Sequence, residues 1–147
     1  MDLDGNTLLR MATAVIFGGL IGFNRDLYGK PTGIRAHALV SLGAAILVMA
    51  GGDHPDPTSR VIQGVIAGIG FLGGGVILRG AKGLHVYHLV TAATLWVTTG
   101  IGILCGLGAW KLGAAATGMV LVVLMGGVYL DRWLYGAAGM KEDEREP

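Results

Sequence analysis

VIQGVIAGIGFLGGGVIL, residues 61–78, runs for eighteen residues without a charge and holds six glycines. In a soluble helix each glycine costs about 1 kcal/mol relative to alanine. Helices packed in lipid use glycine because the missing side chain lets two backbones approach closely. Eighteen to twenty apolar residues are about what is needed to cross a hydrocarbon core of roughly 30 Å. The stretch reads as a transmembrane helix.

Four more apolar windows flank it, at about Leu8 to Asn24, Ala36 to Gly51, Leu89 to Leu107 and Leu112 to Leu130. Breaks rich in glycine, proline and charge separate them, such as Gly29-Lys30-Pro31-Thr32-Gly33 and Gly51-Gly52-Asp53-His54-Pro55-Asp56-Pro57. The whole chain agrees: 52% of its 147 residues are hydrophobic, 14% are charged, and 27 are glycine. The fold expected is all-α, a polytopic bundle of five transmembrane helices over residues 1–135, followed by a short polar cytoplasmic tail over 136–147. Asp2 and Asp4 take the place of the basic residues of a cleaved leader, so the first helix is expected to stay in the mature protein.

Lysine and arginine in short loops set orientation. Arg25, Lys30 and Arg35 lie between the first two windows, and Arg79 and Lys82 between the third and fourth, whereas Arg10, Arg60 and Lys111 stand singly on the other side. This predicts an outside N-terminus and a cytoplasmic C-terminus. A shift of fifty residues lays GIRAHALVSLGAA, from Gly33, over GLHVYHLVTAATL, from Gly83, which suggests a duplicated helical hairpin plus a fifth helix.

Net charge is only +1, which gives no field for nucleic acid. The single Cys105 excludes an internal disulfide. Of the histidines only His85 and His88 are close in sequence, no carboxylate completes a ligand set, and neither a metal nor a cofactor is expected. Asp26 stands nearly alone as an intramembrane acid for Mg²⁺, and Asp53 and Asp56 read as a solvated turn. The GIGFLGGG run from Gly68 lacks the lysine of a phosphate loop, and no nucleophile and base pair points to an enzyme.

Candidate working residues fall on helix faces. Ala14, Gly18, Gly22 and Asp26 recur every four residues, and Gly64, Gly68, Gly75 and Arg79 share a face of the third helix. Packing of these two helices through glycine would bring Asp26 to Arg79. Asn24, Arg25 and Asp26 form a polar cluster at the helix end, either a functional site or an interfacial stop. Thr91, Thr94 and Thr98 line one face of the fourth helix, with Trp96 pointing elsewhere, and serve either packing or a polar track. Gln63 reads as a buried amide.

The runs GGLIGFNRDLYGKPTGIRAHALVSLGAA, from Gly18, and GVIAGIGFLGGGVILRGAKGLHVYHLVTAATLWVTTGIGILCG, from Gly64, resemble the membrane domain of the MgtC/SapB family from about Leu8 to Leu130. Arg35, His37, Gly70, Phe71, Gly73, Arg79, Thr91, Ala92 and Trp96 match the family pattern, whereas Asn24 and Val90 depart from it. The resemblance implies a bacterial inner-membrane protein connected with growth at low Mg²⁺ and, in pathogens, with survival inside host cells. It also implies action by binding other membrane proteins, the ATP synthase among them. Many members carry an ACT-like cytoplasmic domain after the last helix, and only the N-terminal membrane domain is expected here. The expected function is a non-enzymatic regulator that packs with itself and with partner membrane proteins. The alternative is a transporter or channel for Mg²⁺ or another small solute, using Asn24, Asp26, Arg79 and the threonine face.

Overall fold

The computed structural model describes residues 4–52, 55–80 and 88–138. Five helices follow one another: α1 (Gly5–Leu27), α2 (Ile34–Ala50), α3 (Pro55–Gly80), α4 (Leu89–Gly106) and α5 (Trp110–Ala138). Several boundaries have a local cause. The Asp4 side chain accepts from the Thr7 backbone N–H at 2.7 Å and caps α1. Pro55 opens α3, two residues before Pro57, so the helix reaches back into what reads as a loop. Proline fits the first turn because the N–H it lacks has no intrahelical partner there. Gly108, at φ 79°, turns the chain between α4 and α5.

Four helices are long and apolar enough to cross a membrane; α2, at 17 residues, is slightly shorter. Its position compensates, because it packs against α1, α3 and α4. α4 is the hub and touches all four other helices, which explains why most of its second half is buried. Among the described residues α1 and α3 do not touch, nor do α3 and α5. The packing of the first helix on the third that would have joined Asp26 to Arg79 does not occur: α2 and α4 stand between them. α1 with α2 and α3 with α4 pack as hairpins, and α1 also meets α4 as α3 meets α2, a pattern in which the two hairpins can exchange places.

The centre is built from rows of small residues spaced by four. α1 offers Ala14, Gly18 and Gly22; α2 offers Ser41 and Ala45, in line with His37 and the N-cap Gly33; α4 offers Thr94, Thr98, Gly102 and Gly106. Rows of this spacing interdigitate when backbones come close. A methyl group at Gly18 would stand 2.5 Å from the His37 carbonyl oxygen, and one at Gly22 would stand 2.6 Å from the Ile34 Cα. At Gly102 it would collide with the Ser41 carbonyl, and at Gly106 it would stand 2.7 Å from that of Ala45. The order of these contacts makes α1 antiparallel to α2, and α2 parallel to α4. Around them sit Ala14, Ile21, Ala45, Ile101 and Cys105 on one side and Ala44, Val48 and Ile103 on the other.

The third helix differs. Among the described residues nothing lies within 4 Å of a methyl built at Gly64, Gly68, Gly70, Gly74 or Gly75, and Phe71 is 85% exposed. Gly64, Gly68 and Gly75 thus do not pack inside the chain as expected. Among the described side chains of α3 only Ile69 and Gly73 are buried, on the opposite face, so the glycine stripe looks outward.

Candidate functional site

Polar side chains gather where the end of α1 meets the starts of α2 and α4. Arg25 and Asn24 are buried there, at 6% and 7% exposure. One Nη of Arg25 donates to Thr91 Oγ1 at 2.9 Å, and its Nε–H has no partner. A charge shielded from water is costly unless it is paired. Yet Arg25 has no ion pair among the described residues. Asp26, next in sequence, points elsewhere: its exposed carboxylate accepts from the Ile34 backbone N–H at 3.0 Å. It caps α2, whose own N-cap, Gly33, has no side chain. A methyl at Gly33 would run into that carboxylate, so glycine here makes room for the cap. Neighbours on a helix need separate partners, and these two have them.

His37 is fully buried. Its Nδ1 lies 3.2 Å from the Gly33 carbonyl, which can only accept, so Nδ1 carries a proton. Nε2 lies 3.4 Å from Thr94 Oγ1, while that hydroxyl donates to the Thr91 carbonyl at 2.8 Å. A hydroxyl has one proton to give. It serves either the Thr91 carbonyl or a ring nitrogen of His37, not both at once. One turn deeper, Ser41 and Thr98 are fully buried with hydroxyls that have no partner. Thr91, Thr94 and Thr98 thus do form one buried face, which both returns a bond to its own backbone and bonds across helices. Trp96, 54% exposed, points away from it.

The opposite end of α4 is held by Arg10, whose Nη1 donates to the Gly106 carbonyl at 3.0 Å. This cation sits at a helix C-terminus, where exposed carbonyls favour positive charge.

Some expected members lie apart. Arg35 is exposed and outside the buried group; with Asp26, Gly33, Ile34 and Ala36 it lines an open recess of about 400 Å³. The side chain of Arg79 lies outside the described residues, as do His54, His85 and Asp53. With α1 and α3 apart, the glycine face meant to join Asp26 to Arg79 does not form. Gln63 is exposed rather than buried, and donates to Ser59 Oγ at 3.4 Å. Ser41, Gly102, Gly106 and Arg10 were not singled out from sequence. The signal was present for three of them: Gly102 and Gly106 continue the Thr94 and Thr98 row at the same spacing, and Ser41 follows His37 by four.

Small-residue rows that pull three helices together around buried polar groups, wrapped by long apolar helices, define a multi-pass membrane protein. The chain belongs to the MgtC family, which it matches over residues 11–133. It is 44% identical over 115 residues to protein MgtC of Salmonella typhimurium, covering 78% of this chain and 49% of that protein. It is 41% identical over 122 residues to protein MgtC of Brucella abortus, covering 80% and 50%. Protein SrpB of Synechococcus elongatus is 40% identical over 141 residues, covering 85% and 78%. The chain thus spans about half the length of the MgtC proteins it matches. No solved structure matches it.

Proposed function

We propose that the protein is a non-enzymatic regulator of the bacterial inner membrane, acting by docking other membrane proteins against the outward face of α3. The observation that carries this reading is the contrast between glycines. Those of α1 and α4 are consumed by backbones of the same chain, whereas Gly64, Gly68, Gly70, Gly74 and Gly75 leave a helix-sized track open beside an exposed Phe71. In lipid, where apolar side chains gain little by leaving the tails, such close backbone approach is a main source of helix association. Family membership supports a link to growth at low Mg²⁺. The loop charges support a cytoplasmic position for the end of the bundle at which Arg25 lies.

A transporter is the second reading, favoured by the buried line from Arg25 through His37 and Thr94 to Thr98 and Ser41. Reconstitution separates the two. The docking reading expects liposomes bearing the full chain to show no protein-dependent Mg²⁺ flux. Flux that disappears in a Thr98→Val variant would establish transport instead.

A further inference from the structure

The two arginines that meet α4 stand in opposite electrical surroundings. Arg10 caps the C-terminal end, where the helix presents carbonyl oxygens. Arg25 lies at the N-terminal end, bound to Thr91 in the first turn, where the helix presents N–H groups and partial positive charge. The start of α2, a second positive end, is close by, but Asp26 already occupies it. Thus one buried guanidinium faces a positive helix end with no carboxylate paired to it among the described residues.

Proton accounting sharpens the point. Arg25 Nε–H is buried without an acceptor. Thr91 Oγ1 accepts from Arg25, so its own hydroxyl proton is free to donate. Arg25 therefore keeps a buried donor without an acceptor, and the fork of a guanidinium matches two oxygens of one anion.

We infer that Arg25 and Thr91, at the N-terminus of α4, form a binding site for a phosphate-type oxyanion, either free phosphate or the phosphate of a lipid headgroup. Arg25 stands two residues before the end of α1, close to a helix end rather than at its middle. The anion supplies the charge that Arg25 lacks and takes up the Nε–H and the Thr91 hydroxyl. The inference is independent of where partner proteins dock.

The test uses the delipidated full chain in an uncharged maltoside detergent, with thermal unfolding read by tryptophan fluorescence. One arm adds inorganic phosphate against chloride at matched ionic strength; the other adds dioleoylphosphatidylglycerol against dioleoylglycerol, which lacks phosphate. The site predicts a saturable rise in midpoint of about 5 °C in at least one arm, absent in Arg25→Gln. The arm that responds names the source. Thr91→Val, which keeps the charge and the volume, serves if Arg25→Gln does not fold, and is expected to weaken binding about tenfold. No phosphate-dependent rise in either arm, or one equal in the wild type and both variants, would overturn the site.

Discussion

Arg25 of α1 and Thr91 of α4, 66 positions apart in sequence, meet through a buried hydrogen bond of 2.9 Å. That bond ties the end of the first helix to the start of the hub helix, as Arg10 and the Gly106 carbonyl tie the other ends. Thr91→Val would leave the guanidinium buried with one partner fewer. A loss of about 1–3 kcal/mol in unfolding free energy is expected, measured by denaturation in mixed micelles. In a double-mutant cycle, Arg25→Gln should make the same change at Thr91 much less costly.

The α2–α4 contact depends on absent side chains. Gly102→Ala would drive a methyl into the Ser41 backbone, and Gly106→Ala would drive one toward Ala45. Each is expected to cost about 1–3 kcal/mol, because backbone cannot move aside as a flexible side chain can. Gly68→Ala on α3 meets nothing and should leave the unfolding midpoint unchanged or slightly raised.

This difference marks how far the sequence could be read. Apolar windows located all five helices, since length and hydrophobicity alone fit a chain to a bilayer. Spacing also found the faces: Gly18 and Gly22 do pack, and Thr91, Thr94 and Thr98 are buried together. What spacing could not say was which helix each face meets. A four-residue row admits any backbone, so α3, with the most glycines, looked like a packing partner and is instead open. The partner of α1 turned out to be α2, brought back by the short turn after Leu27. Asp26 was read as part of a charged site because its polarity was visible, but a cap on the next helix depends on the path of that turn. Arg25 was read as a member of the same cluster, and geometry supplied its partner, Thr91.

Asp26 is expected to act on folding more than on chemistry. Asp26→Ala should free the Ile34 N–H and loosen the start of α2, at a cost of about 1 kcal/mol. Faster amide exchange at Ile34 and Arg35, with the rest of the bundle protected, would show it. Uniformly faster exchange across all five helices would mean that the carboxylate does more than cap.

At the other end of α1 the cap is sensitive to pH. Its bond with Thr7 holds the Asp4 carboxyl below the usual carboxylate range. A carboxyl whose folded value is lowered favours the folded helix end fully above its unfolded value and loses that contribution as pH falls through the folded one. Amide exchange at Thr7 should therefore quicken, beyond its intrinsic pH dependence, on acidification below about 4. Asp4→Asn should abolish that extra acid response.

The claim that matters most is that α3 works outward. If the proposed docking function holds, growth of cells in Mg²⁺-limited medium, supported by a chain carrying Gly68→Leu, tests it most directly, because the new side chain starts into open space on the outward track. The account predicts that the variant folds with the wild-type unfolding midpoint and no longer supports growth. Full support of growth by a folded Gly68→Leu protein would contradict it.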